Sequence, residues 1–284
     1  MSAQAATLAE QIRALREKTG AGMMDCKKAL TEAGGDFSKA VESLRKKGLA
    51  DAAKKSDRVT KEGVLAAFVS PDGRKGSMIE LDCETDFVAK TEDFQALAAS
   101  LARKASDGAI APGEALPEIQ AAIVKLGENI SLRRFETFSL QGPGLLAHYI
   151  HPVGFKKGAF VVLGAASEAA AKSPAAAELA KELGLQIVAM SPRWLRREDV
   201  PQAEADKERE IYVAQLKSEG KPEAAIAKIV EGKLNKLFYQ AYSLLDGVSM
   251  RDNKTPISKL VADASARAGG ALAVVKFVRY QLGE

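Results

Sequence analysis

Carboxylates recur at every second position in Glu80, Asp82, Glu84 and Asp86, a spacing that puts them on one face of a strand. Such a series does general acid–base work when a nucleophile or an electrophile faces it. No such group accompanies it, so the better reading is a face turned to solvent or to a basic partner surface. His148, His151, Cys26 and Cys83 complete the reactive inventory. The cysteines lack CxxC spacing, and two histidines do not assemble a zinc site with them at usual ligand spacings. Each cysteine reads as a small buried hydrophobe. The chain also has no GxxxxGK[ST], GxSxG or HExxH, so neither a phosphate loop nor a common hydrolase centre is expected. The expectation is a protein without cofactor or metal and without covalent chemistry of its own.

The framework that must position these side chains is larger than one domain. At 284 residues two or more compact units are expected. Alanine supplies 50 residues and aromatics 6%, which favours helices and small packed modules over a deep aromatic-lined pocket. The net charge is +4, and residues 1–58 hold twelve basic and eight acidic residues. The whole excess therefore lies in the first fifth of the chain. The opening MSAQAATLAEQIRALREK has no apolar leader core, and no apolar run is long enough to span a bilayer. A cytoplasmic, reducing location without membrane contact is the expectation.

Residues 1–50 read as a three-helix module. Leu8, Ile12 and Leu15 recur at helical spacing, Thr19-Gly20 breaks the pattern, and MMDCKKAL follows. Gly34-Gly35 then supplies a left-handed stop, and Asp36 caps a third helix through Phe37, Val41 and Leu44. Lys46-Lys47-Gly48 is expected to end that helix. A core this small is marginal alone, so the module is expected to dock on a partner. Residues 51–62 read as a charged linker.

The remainder contains an internal repeat. Gly63–Leu81 aligns with Gly144–Leu163, pairing Gly63 with Gly144, Leu65 with Leu146, Pro71 with Pro152 and, after an insertion at Phe155, Leu81 with Leu163. Each copy reads as a β-hairpin around a Pro-x-Gly turn. Helical sequence follows at Asp86–Ala105 and Ala175–Met190, and a last strand at Ile130–Phe138 and Leu272–Leu282. The fold class is α+β: subdomains 63–140 and 141–284, each a three-stranded antiparallel sheet backed by helices. The second contains an inserted helical hairpin at 203–245, reversed at Gly220-Lys221-Pro222. Its apolar residues exceed what it can bury by itself, which leaves another surface or another chain to cover them.

Three stretches carry a resemblance. LREKTGAGMMDCKKAL at Leu15–Leu30, CETDFVAK at Cys83–Lys90 and EGKLNKLF at Glu231–Phe238 resemble bacterial translation elongation factor Ts, in the right order over essentially the whole chain. The resemblance implies a UBA-like N-terminal module, a duplicated core and a coiled-coil-like hairpin. It also implies a guanine-nucleotide exchange factor whose partner is the GTPase elongation factor Tu, with no direct nucleotide binding. Thr85, Asp86, Phe87 and Val88 would push in beside the GTPase's magnesium site. Arg16, Met23 and Met24 would grip its nucleotide domain, with one Met expected in the module core. His151, and as a second candidate His148, would press near its phosphate loop.

Alternatives stand beside these roles. On spacing alone Phe87 reads as a core aromatic and Asp86 as a helix cap, and either histidine as plain surface; the family motif reverses the first of these. Pro152 and Phe155 depart from the family's glycine-rich turn, which puts the His151 contact in question. The hairpin has two outlets, the GTPase or a second copy of the chain, the latter a homodimer through core or hairpin. A ribosome- or RNA-associated binding protein without exchange activity is the rival function, suggested by the basic first module.

Overall fold

The computed structural model of the chain describes residues 7–114 and 116–284, and of residues 49 and 51–53 the backbone alone. Residues 1–6 of the expected module lie outside the described residues. Helix α1 (Leu8–Thr19) begins at Thr7, which exchanges capping hydrogen bonds with Glu10, so that two donors without helical partners are satisfied reciprocally. Helix α2 (Met23–Glu32) runs out through Gly34 and Gly35, at φ 61° and 85°, a left-handed pair that side chains resist. Asp36 accepts the Lys39 amide at 3.0 Å and opens α3 (Phe37–Lys55). Leu15, Cys26, Leu30, Ala40 and Leu44 make the module's core.

The third helix does not stop at Gly48. It continues to Lys55 and takes in the first residues of the expected linker 51–62. Gly48 is instead a place of close approach: a Cβ there would lie 2.7 Å from Val124 Cγ2 on α6, a helix described below. A lone glycine inside a helical pattern often has such a packing reason. The small module thus packs through α3 on α6 of its own chain.

Strands β1 (Glu62–Val69), β2 (Lys75–Cys83) and β3 (Ile130–Ser139) form one antiparallel sheet in the order β1-β2-β3. Strands β4 (Gly144–Ile150), β5 (Lys157–Ala165) and β6 (Leu272–Gln281) repeat it as β4-β5-β6. In the second sheet Gly144 pairs with Gly164 and Ile150 with Gly158, while β5 and β6 pair with a bulge between Val162 and Leu163. The repeat survives in atomic detail. A Cβ on Gly63 would meet the Leu81 carbonyl oxygen at 2.3 Å, and one on Gly144 the Leu163 carbonyl oxygen at 2.4 Å. The aligned glycines lie against the aligned carbonyls.

Each hairpin leads into a short helix and then a long one. In the first copy these are α4 (Asp86–Ala89) and α5 (Glu92–Ser106), where one unbroken helix was expected. Thr91 makes the break: its hydroxyl donates to the Val88 carbonyl at 2.8 Å and accepts the Phe94 amide at 3.3 Å. Helix α6 (Pro117–Leu126) then precedes β3. In the second copy α7 (Glu168–Ala171) and α8 (Pro174–Met190) are separated by Ser173, which makes the same two bonds to Ala170 and Ala176.

The insert follows as α9 (Gln202–Ser218), a turn at Gly220 and α10 (Glu223–Lys233), which runs through a π-helical stretch at Leu234–Tyr239 into α11 (Gln240–Tyr242). Ala205, Leu216, Ile226, Val230, Leu234 and Phe238 give it a core of its own, so most of the expected apolar surplus is absorbed locally. Ile211 and Leu237 stay exposed. At its base the Trp194 ring lies between the Arg193 guanidinium, 4.3 Å from its centroid, and Phe238 at 5.8 Å. Helix α12 (Ile257–Ala268) then precedes β6, as α6 precedes β3.

By contacts the chain forms two compact units. The first runs to Ala66 and adds Ser77–Thr137 and Leu282–Glu284; the second comprises Ala67–Gly76 and Phe138–Gln281. The first hairpin's tip, expected within subdomain 63–140, therefore belongs with the second unit. Two contacts explain it. A Cβ on Gly76 would sit 2.5 Å from Phe160 Cζ, and the Arg74 guanidinium donates to the Gly142 and Leu140 carbonyls at 2.9 and 3.0 Å. No described helix is long and apolar enough to cross a membrane.

Candidate functional site

The acidic series is not the open face that its alternation suggests. Glu80 and Asp82 are buried on β2. Glu80 is held by Arg134 Nε at 2.6 Å and accepts the Gly283 amide at 2.8 Å, with Arg133 at 3.7 Å. Asp82 reaches Arg133 only at 3.9 Å, and its Oδ1 has no hydrogen-bond partner. Burial first, and then the neighbouring Glu80 charge, raise its pKa to about 6. These carboxylates are internal groups with arginine partners, and neither a general acid–base cluster nor a partner surface.

Past them β2 ends and the chain turns a corner into α4. Thr85 is the N-cap: its oxygen accepts the Val88 amide at 3.4 Å while its hydroxyl donates to Glu128 Oε1 at 2.5 Å. Glu128 Oε2 accepts the amides of Glu84 at 3.1 Å and Thr85 at 3.0 Å. Glu84 in return accepts the Asn129 amide at 2.7 Å and meets Arg58 at 3.4 Å. Neither Glu128 nor Asn129 carries a local signal, because their partners lie more than forty positions away. Asp86 pairs with Lys90 at 2.5 Å, and Ala89 turns inward. Burial pushes the Cys83 thiol up to about 12, so it is inert near neutral pH.

Phe87 does the opposite of a core aromatic. It is 80% exposed in the first turn of α4, although an aromatic of its size ordinarily buries most of its area. The second repeat has the same corner without it. Ser167 caps α7 by accepting the Ala170 amide at 3.1 Å, and Glu168 pairs with Lys172 at 3.4 Å as Asp86 does with Lys90. Ala169 and Ala170 stand in the places of Phe87 and Val88. Folding of this corner does not require the phenylalanine.

In the N-terminal module Arg16 and Met23 line an open groove whose other wall carries Asp93 and Lys125, paired at 2.7 Å. Met23 is 49% and Met24 75% exposed, so the expectation that one fills the core does not hold. Cys26, Ala29 and Leu30 are the α2 residues that turn inward.

The histidines lie in the second unit, on opposite faces of β4. His148 pairs across the sheet with Phe160, and its ring stacks there at 6.2 Å; burial lowers its pKa. His151 follows the strand, half-buried, with Nδ1 2.9 Å from the Tyr149 hydroxyl. The turn beyond projects Val153 and holds Phe155 at φ 53°, a left-handed conformation uncommon for a bulky residue.

The duplicated α+β framework thus turns a phenylalanine and two methionines outward. A family model described as Elongation factor TS matches residues 84–284. Elongation factor Ts of Clostridium botulinum (strain Alaska E43 / Type E3) is 44% identical over 288 residues, covering 97% of this chain and 93% of the relative. Those of a Nitratiruptor species and of Symbiobacterium thermophilum are 41% and 43% identical, again over 97% of this chain and over 93% and 92% of their own lengths. The chain belongs to the elongation factor Ts family.

Proposed function

We propose that this chain is a guanine-nucleotide exchange factor that binds elongation factor Tu and speeds GDP release, without covalent chemistry or a nucleotide site of its own. The family's role is nucleotide exchange on elongation factor Tu. Release requires that the factor prefer the empty GTPase, because by linkage that preference weakens nucleotide binding by the same factor. Each decade needs about 1.4 kcal/mol of differential binding. Burying Phe87 in the partner contributes roughly 1.5 to 3 kcal/mol, one or two decades if it happens only in the nucleotide-free state.

In this reading Thr85, Asp86, Phe87 and Val88 enter beside the magnesium site and displace the groups that order the ion, so phosphate charge loses its counter-ion. Arg16, Met23 and Met24 grip the nucleotide domain, where flexible thioethers suit an adaptable contact. His151, with His148 second, approaches the phosphate loop. The supporting observation is the 80% exposure of Phe87 on a capped corner whose duplicate folds with Ala169 in its place.

Fluorescent GDP release from GDP-loaded elongation factor Tu tests it. The wild-type chain should accelerate release, and Phe87→Ala should lose at least about tenfold of that acceleration with unchanged thermal stability. Full stimulation by the variant would remove the wedge. No stimulation by the wild type, together with salt-sensitive retardation of RNA, would favour an RNA-binding protein.

A further inference from the structure

We propose that Glu128 is a positioning residue for the Phe87 corner, a role that rests on the wedge reading above. Its carboxylate occupies the inside of the corner and takes three hydrogen bonds there, from the Glu84 amide, the Thr85 amide and the Thr85 hydroxyl. A single side chain thus fixes both residues immediately before α4 and the hydroxyl that caps it. Phe87 projects into solvent with little packing to hold it, so its direction is set by the backbone of this corner.

The second repeat provides the control within the same chain. The left-handed glycine that ends α6, Gly127, corresponds to Gly269 at the end of α12. Glu128 therefore corresponds to Gly270, and Asn129 to Ala271. The correspondence is spatial as well: a Cβ on Gly270 would meet Ala170 Cβ at 3.2 Å and Ala166 Cβ at 3.6 Å, with Ser167 Oγ at 4.0 Å. Those are the corner residues equivalent to Val88, Glu84 and Thr85.

In that repeat the corner closes directly on main chain, and the Ala166 amide donates to the Ala271 carbonyl at 2.9 Å. In the first repeat the equivalent amide, of Glu84, donates to the Glu128 side chain at 3.1 Å. One hydrogen-bond demand is met by main chain where the corner bears alanine, and by a carboxylate where it bears an exposed phenylalanine. The fold does not need the carboxylate to make the turn. Glu128 and Phe87 are present together in one copy and absent together from the other, which couples the anchor to the projecting ring.

The test uses the full chain and GDP-loaded elongation factor Tu. Glu128→Ala should slow stimulated GDP release by about tenfold, a typical coupling for residues sharing one network. Glu128→Gln, which keeps an oxygen for the two amides and an amide group for the Thr85 oxygen, should restore most of it. The double variant Phe87→Ala/Glu128→Ala should be no slower than Phe87→Ala alone. Backbone amide exchange at Glu84 and Thr85 should rise in Glu128→Ala and stay low in Glu128→Gln. Additive losses in the double variant, or wild-type release by Glu128→Ala while Phe87→Ala is impaired, would overturn the positioning role. Unchanged amide exchange in Glu128→Ala would overturn the anchor itself, whatever the release rates. If Phe87→Ala alone releases GDP as fast as wild type, the wedge reading fails, and Glu128's part in exchange falls with it.

Discussion

Asp82 is 4% exposed, and one of its oxygens is without a partner. Its pKa of about 6, against an ordinary 3.8, means that the folded chain holds this proton more tightly than the unfolded chain does. Stability attached to this group is therefore present at low pH and declines as pH rises from about 4 through about 6. The shift from 3.8 to about 6 sets an upper bound of roughly 3 kcal/mol on that loss. Asp82→Asn should flatten this part of the stability curve measured by urea titration at several pH values; an unaltered slope would place its source elsewhere. The sequence does not disclose this burial. Alternation fixes which residues share a face, but what covers Glu80 and Asp82 is supplied by Arg133 and Arg134, some fifty positions further on. The exposure of Phe87 is likewise invisible to spacing, and the motif alone points to it.

Among the elements, the hairpins are the most legible, because each is written in local residues: an apolar run, Pro-x-Gly and a second run. The paired glycines carry the strongest consequence. Gly63→Ala and Gly144→Ala would force a Cβ to within 2.4 Å of a backbone carbonyl oxygen, which cannot swing aside as a side chain can. Each should destabilise the chain by about 1 to 3 kcal/mol. Gly142→Ala, with nothing within 4 Å of its Cβ, should stay within about 0.5 kcal/mol of wild type. Equal denaturation midpoints for all three would refute the close approach. Gly48 shows the limit of local reading. The same residue type that ends a helix also lets two helices touch, and only the partner Val124 decides between the two. Helix α12 carries Ile257, Leu260, Val261 and Ala264 at helical spacing, a signal of the same kind as the one in α1. Thr91 escapes sequence reading as a break because a threonine inside a helical pattern looks unremarkable until its hydroxyl caps the next turn.

For the whole molecule, the duplication is visible in aligned residues, whereas the division into units is not. The hairpin tip 67–76 joins the second unit through Gly76 against Phe160 and through Arg74 on the Leu140 and Gly142 carbonyls, contacts that link distant segments. Charge is also unevenly placed: residues 1–58 carry the entire excess of +4. If that part is an electrostatically assisted anchor for elongation factor Tu, association should slow as salt rises. A chain lacking residues 1–55 should bind more weakly and lose most of that salt dependence in stopped-flow association. An unchanged dissociation constant would exclude the anchor.

Trp194 adds a practical consequence. It is the only tryptophan in the chain, it lies between Arg193 and Phe238 at the base of the inserted hairpin, and it belongs to the second unit. Emission excited where tryptophan alone absorbs, beyond the reach of the five tyrosines, is therefore a one-site optical signal. It follows the hairpin's attachment and says nothing directly about Phe87 or Glu128, which belong to the other unit. A melting curve recorded at tryptophan wavelengths reports one half of the chain, and the corner that would drive exchange needs a label of its own.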